Sequence, residues 1–114
     1  MRGEARSASC GSTLAIGLAV DEAGAVTRIG MSAQACAIGQ ASAAIFAQGA
    51  AGRSGAQIAD SADAIRSWLR GEGDMPDWPG LALIEPASSY PARHGAILLA
   101  WDAAVRAMAA PEKT

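Results

Sequence analysis

Hydrophobic side chains recur at every second position along two short stretches near the start of the chain. The first stretch runs from Thr13 to Val20 and the second covers residues 26–33. A period of two is typical of a strand with one buried face. The turn between the stretches contains DEAG (21–24), with a glycine that tolerates positive φ. The sequence therefore predicts a β-hairpin.

After residue 36 the hydrophobic period lengthens to that of a helix. A first helix is predicted over residues 37–48. A second begins at the capping residue Ser54 and ends at Gly71, and a third covers about 92–110. The predicted buried faces consist of Ile38, Ala41, Ile45 and Gln48 in the first helix, Ile58, Ala62, Ile65 and Leu69 in the second, and Ile97, Leu98, Trp101, Val105 and Met108 in the third.

The segment between the second and third helices has less regular patterning. Residues 71–80 (GEGDMPDWPG) are rich in Gly and Pro and predict a loop, whereas residues 81–86 (LALIEP) fit either a helical turn or a strand. The chain is predicted to be an α+β domain. Its small antiparallel sheet, built on the hairpin, would carry three or so helices on one face.

Charged residues on the helices suggest two exposed ion pairs. Asp63 lies three residues before Arg66, and Asp102 lies four residues before Arg106. Residues three or four apart are neighbours on a helix surface. The sequence predicts that each pair faces solvent away from the buried stripe.

Composition limits the classes of function. The 114 residues suffice for one domain with a modest core, which we assign to residues 10–110, with a short lead at 1–9 and a tail at 111–114. A net charge of −2 without a basic stripe argues against nucleic acid and against an acidic membrane surface. Neither a membrane-spanning run nor a secretory signal is recognisable, so a cytoplasmic chain with reduced cysteines is expected.

The two cysteines are the residues best suited to chemistry. Cys36 would begin the first helix, where free backbone amides and the helix dipole stabilise a thiolate. Cys10 lies in SASCGST (residues 7–13), which leads into the first strand. Spacing alone leaves open whether these are functional thiols or two buried or idle ones, because the chain has no Cys-x-x-Cys motif and no histidine cluster.

The order of motifs resembles the NifU/IscU/SufU family of iron–sulfur cluster assembly scaffolds. The resemblance rests on Cys-Gly-Ser before the hairpin, ACAIGQAS (35–42) and PARHGAILLAW (91–101), and it runs from about residue 9 to residue 109. It implies the family's α+β fold. It also implies a site at one end of the sheet, where three cysteines and an aspartate hold zinc, iron or a nascent cluster and accept sulfur from a cysteine desulfurase. The long segment between Cys36 and the last helix, including residues 71–80, resembles the SufU branch more than the compact IscU branch.

The resemblance assigns roles residue by residue. Cys10 and Cys36 match the first two family cysteines. Ser12 stands where the family has its aspartate, and Ala96 stands where it has the third cysteine. Arg93 matches an arginine of SufU-like members and is a candidate to contact an anion or a sulfur intermediate.

His94 is the only histidine, and it neighbours the position of a family histidine, which is Gly95 here. One residue along a helix turns a side chain by about 100°. The implied metal ligands are therefore Cys10 and Cys36, with Ser12 as a weak ligand and His94 as a candidate. In the family a helix and a strand usually precede the first cysteine. Only nine residues do so here, so either the helix is absent or the true start lies upstream.

Our interpretation from the sequence is a scaffold that is not an enzyme. It would hold iron, sulfur or a nascent [2Fe–2S] cluster through Cys10 and Cys36 and pass it on, with zinc as another candidate metal. A [2Fe–2S] cluster takes four thiolates, which a homodimer would supply. Its partners would be a cysteine desulfurase and other assembly proteins. The alternative is a metal-free adaptor that binds such a partner. A thiol enzyme is least favoured because no base is predicted near Cys36.

Overall fold

A three-stranded antiparallel sheet forms one layer of the molecule. The computed structural model describes residues 1–7 and 11–109. The strands are β1 (Arg2–Arg6), β2 (Thr13–Val20) and β3 (Val26–Gln34), and they lie in the order β1-β2-β3. The predicted hairpin is β2 and β3, which are joined by the predicted turn.

The turn between β2 and β3 has the geometry that its residues predict. The Asp21 carboxylate accepts hydrogen bonds from the backbone N–H groups of Ala23 and Ala25, at 2.9 and 3.0 Å. Gly24 has φ +85°, which is strained for any residue with a side chain. The hairpin is therefore fixed by local chemistry.

β1 has no counterpart among the elements predicted from the sequence. Its five residues, RGEAR, place only Gly3 and Ala5 on the inner face, so no hydrophobic alternation marks it. A Cβ on Gly3 would collide with the Ala103 carbonyl oxygen of the last helix. Close packing of β1 against α3 therefore explains how a segment without hydrophobic alternation forms part of the sheet.

Over the described ranges, 1–7 and 11–109, three α-helices form the second layer, which confirms the α+β fold class. They are α1 (Ala37–Ala50), α2 (Gly55–Leu69) and α3 (His94–Ala109). α3 packs on β1 and β2, and α1 and α2 pack on α3. Residues Leu81–Ser89 form 3₁₀-helical turns, which settles the ambiguous segment before the last helix. In the part of the chain that is described, no helix has the length and apolar character needed to cross a membrane.

α2 agrees with its sequence pattern at both ends. Ser54 and Gln57 form a capping box, in which each side chain bonds to the other residue's backbone N–H at 3.2 and 2.9 Å. Gly71, with φ +75°, follows the helix end. All four residues of the predicted stripe, Ile58, Ala62, Ile65 and Leu69, are buried.

The predicted buried face of α1 is wrong in part. Ile45 is buried, but Gln48 is exposed and Ile38 is only half-buried. The helix is instead turned toward α3 by Phe46, whose ring contacts the rings of Trp78 and Trp101 at 5.6 and 5.4 Å between centroids. The residues of α1 that are buried are Gly39, Ser42, Ala43, Ile45, Phe46 and Ala50.

The two predicted ion pairs are also wrong. Arg66 pairs with Asp102, at 2.8 Å, and so links α2 to α3. Arg106 donates a hydrogen bond to the Glu4 carbonyl oxygen of β1. Because α2 and α3 lie side by side, partners on a neighbouring element are nearer than those one turn along the same helix.

Candidate functional site

Cys36 lies where the sheet meets the first helix. It is the N-cap of α1, two residues after the end of β3, and its side chain is exposed. Its backbone N–H donates a hydrogen bond of 3.3 Å to the Ser12 hydroxyl oxygen. The two residues meet because Thr13 of β2 pairs with Gln34 of β3 in the antiparallel ladder. The sequence left open whether Cys36 is a functional thiol or a buried or idle one. Because its side chain is exposed, burial of Cys36 is excluded.

The first turn of α3 reaches the same end of the sheet. Ala96 is fully buried, and its Cβ is 3.7 Å from the position that a Cβ on Gly39 would occupy. Gly39 is one turn after Cys36 in α1, so residue 96 faces the turn that carries the thiol. At the position of the third family cysteine the chain therefore supplies a methyl group.

The loop before β2 also meets α3. Ser7 donates a backbone hydrogen bond to the Ser12 carbonyl oxygen at 2.8 Å, and Gly11 donates one to the Ser7 carbonyl oxygen at 2.9 Å. A Cβ on Gly95 would lie only 2.7 Å from the Ser7 hydroxyl oxygen. A side chain at position 95, where IscU-like members of the family carry a histidine, would therefore force the Ser7 side chain to shift. No sequence signal pointed to Ser7.

The predicted site is only partly covered by these observations. Cys10 lies outside the described residues, so its convergence with Cys36 stays a prediction. Ser12 is 4% exposed and adjoins Cys36 through the hydrogen bond to its amide. Within residues 1–7 and 11–109, no three His, Cys, Asp or Glu side chains are grouped so that they could hold a metal ion.

His94 and Arg93 contact the segment that precedes α3. His94 Nε2 is 2.7 Å from the Ser88 carbonyl oxygen. Since a carbonyl can only accept, this nitrogen carries the hydrogen and is occupied as a donor. The Arg93 guanidinium carbon lies 5.2 Å from the ring centroid of Tyr90. Both side chains therefore have partners outside the Cys36–Ser12 pair.

Solved structures with the same architecture define the class of protein. The N-terminal part of a nitrogen-fixing NifU-like protein from Brucella abortus is 31% identical with a TM-score of 0.83, over 92% of this chain and 74% of that one. A protein assigned as an iron–sulfur cluster assembly scaffold for the SUF system, from Fervidobacterium islandicum AW-1, is 19% identical with a TM-score of 0.77, over 90% and 76% of the two chains. A hypothetical protein is 20% identical with a TM-score of 0.73, over 94% and 79%.

The two more distant structures share the fold. The Brucella structure is also similar in sequence over most of both chains, which shows the family in addition to the fold. This chain belongs to the NifU/IscU/SufU family. No protein-family model and no curated protein sequence matches it.

Proposed function

We propose that this protein is an iron–sulfur assembly scaffold that holds iron, sulfur or a nascent [2Fe–2S] cluster through Cys10 and Cys36 and passes it on. The observation that carries the proposal is the exposed Cys36 thiol at the start of α1, next to Ser12. Cys10 is two residues before Ser12 in the chain. The proposal requires the Cys10 thiol to lie close enough to Cys36 for both to bind one cluster.

The ligand set argues for a cluster shared between two chains. A [2Fe–2S] cluster takes four thiolates, and this chain has two cysteines. Ala96 adds no donor, and the Ser12 oxygen already accepts the Cys36 amide. Two copies supply the four thiolates, so cluster formation is coupled to dimerisation by mass action. Iron or zinc alone would be held more weakly, with Ser12 or a reoriented His94 as additional ligands.

The proposed partners follow from the same site. A cysteine desulfurase must bring its sulfur to an accessible thiol, and Cys36 is exposed. Other assembly proteins would receive the cluster, and Arg93, exposed at the start of α3, would contact anionic sulfur intermediates. In this proposal the protein is cytoplasmic and does not turn over a substrate as an enzyme.

A second candidate function is a metal-free adaptor that binds a desulfurase or another assembly protein. Two observations favour it. Ala96 is sealed in the core at the third cysteine position, and a hydroxyl replaces the aspartate at Ser12. A four-coordinate site that loses two ligands loses much of its affinity for metal.

Anaerobic reconstitution with iron and sulfide, followed by size exclusion with visible absorbance detection, tests the proposal. The wild-type chain should elute as a coloured dimer, and Cys36→Ser and Cys10→Ser should each abolish the colour. A matched control is Cys36→Ser combined with Ala44→Cys. This variant keeps two thiols per chain but moves one to an exposed position on α1, about 12 Å along the helix.

The control variant should bind no cluster, because position and not thiol count is what the proposal requires. Colour in this variant equal to wild type would contradict it. If wild-type protein stays colourless but a column of it retains a purified cysteine desulfurase, the adaptor function replaces the scaffold function.

A further inference from the structure

The two edges of the sheet differ in how well they are protected against pairing with a further strand. β1 is short, and its outer-face side chains are Arg2, Glu4 and Arg6. α3 lies so close to β1 that only glycine fits at position 3, and Arg106 bonds to the Glu4 carbonyl oxygen. Charged side chains and a covering helix are the usual means of blocking further strand pairing.

β3 lacks these protections over most of its nine residues. Among the described residues, backbone bonds from outside the sheet reach β3 only at Val26, which donates to Arg53 and accepts from Gly52 at 2.9 and 2.8 Å. From residue 27 to residue 33 the strand has one charged residue, Arg28, and no Pro or Lys. Its one pairing irregularity lies at its start, opposite Ala19 and Val20. The remaining edge presents unpaired backbone groups.

The inner face of β3 is also incompletely covered. In the neighbouring β2, Leu14, Ile16 and Leu18 are at most 6% exposed. Their partners across the ladder, Ala33, Met31 and Ile29, are only half-buried. The reason is that α3 packs over β1 and β2, so the helical layer stops short of the β3 edge.

We propose that a second copy of this chain pairs with β3, edge to edge and antiparallel, to form a continuous six-stranded sheet about a twofold axis. Val26 is already bonded to Arg53 and Gly52, so the free edge runs over residues 27–33. Gly30 is the midpoint of that stretch, and full overlap of it places Gly30 opposite Gly30 of the second copy. In this register Ile29 faces Met31 of the second copy on the inner side. Arg28 faces Ser32 of the second copy, so no like charges oppose each other.

This register also explains why a second copy of this chain fits the β3 edge. Within residues 28–32 the opposed residues lie on the same face of the sheet, so half-buried Ile29 meets half-buried Met31 and exposed Arg28 meets exposed Ser32. Gly30 has open space around its Cβ position and no positive φ, so neither packing nor backbone conformation within the chain requires glycine there. A glycine at the midpoint leaves no pair of identical side chains opposed across the twofold axis.

This edge dimer is distinct from a cluster-linked dimer. Cys36 lies six residues beyond Gly30 in each copy, in opposite directions, so the two thiols are separated by about 40 Å. The edge dimer therefore forms without metal and leaves both Cys36 sites free. At concentrations too low for edge pairing, where the reconstitution experiment is run, the cluster-linked dimer forms alone. At higher concentrations the two contacts together would assemble larger species.

Sedimentation velocity of the reduced, metal-free protein over a roughly hundredfold range of concentration tests this proposal. The mass should rise from 11.4 kDa toward twice that value, and Cys36→Ser should behave in the same way. Gly30→Glu opposes two carboxylates across the axis and should weaken the dimer by roughly tenfold or more. An equimolar mixture of Gly30→Glu and Gly30→Lys should restore it.

Gly17→Glu is the matched control. Gly17 pairs with Gly30 on the same outer face but belongs to the central strand, and its Cβ position has no neighbour closer than 3.9 Å. This variant should dimerise like wild type. A chain that stays monomeric at every concentration, or a Gly30→Glu variant that dimerises as well as Gly17→Glu, would overturn the proposal. Neither result bears on cluster binding, which the reconstitution experiment measures separately.

Discussion

Replacing Ser12 by aspartate and Ala96 by cysteine rebuilds the ligand set that the family resemblance implies. We expect the double variant to bind zinc far more tightly than wild type. Position 96 faces the first turn of α1, because the Ala96 Cβ is 3.7 Å from the position that a Cβ on Gly39 would occupy. A sulfur atom there would lie against the turn that carries Cys36 and would require its close neighbours to shift slightly. Position 12 adjoins the Cys36 amide, where the positive end of α1 favours a carboxylate.

The expected increase in zinc affinity follows from the binding free energy of a complete four-ligand zinc site. A four-ligand structural zinc site contributes about 10–16 kcal/mol, or about 3 kcal/mol for each ligand. Each restored ligand should then tighten binding roughly hundredfold, and the pair should tighten it by roughly 10⁴. Ala96 is fully buried, so the larger side chain should also lower the free energy of unfolding by about 1 kcal/mol in the metal-free protein.

Competition against a chromogenic zinc chelator measures the affinity, and urea denaturation measures the stability. The matched control is Ala104→Cys in place of Ala96→Cys. It adds an equally buried thiol to α3 about 12 Å from position 96. Equal zinc affinity in the wild type and the restored variant would refute the reasoning, as would a control variant that binds as tightly as the restored one.

Two further predictions concern the parts of the fold that hold the site and the core. Ser12→Ala removes the acceptor of the Cys36 amide and should lower the free energy of unfolding by about 1 kcal/mol, measured by urea denaturation. Gly49→Ala places a Cβ 2.5 Å from the Trp78 indole nitrogen and should cost about 2 kcal/mol with a change in tryptophan fluorescence. Gly73→Ala, which meets only an ordinary contact of 3.6 Å, is its control.

Each of these two predictions would be contradicted by one specific measurement. An unchanged denaturation midpoint for Ser12→Ala would mean that the hydrogen bond to the amide does not stabilise the fold. A Gly49→Ala variant as stable as Gly73→Ala would mean that Trp78 has room to move away from α1.

Local patterns in the sequence were enough to identify several elements. The hairpin, the helix cap at Ser54 and the stripe of α2 each depend on residues within a few positions of one another. Such interactions are visible in a linear sequence because their period and turn chemistry are local. Motif order likewise indicated the family, which the structural comparison confirmed.

The buried face of α1 could not be obtained in this way. Its direction is set by Phe46, which packs against Trp78 and Trp101 from two later segments. The ion pair of Arg66 with Asp102 likewise joins α2 to α3 through two residues that are 36 positions apart in the chain. Periodicity predicts that one face of a helix is buried. Which face is buried most deeply, and which residues it contacts, depends on the packing of distant segments.

The sequence by itself determined the number of thiols, their spacing and the positions at which family ligands are replaced, because these are properties of residue identity. Only the tertiary structure decided that Cys36 is exposed beside Ser12, that Ala96 is sealed against Gly39 and that β1 completes the sheet. These features depend on which distant segments touch. The physical reason is that strand pairing and close packing are contacts between residues far apart in the chain, and no local period records them.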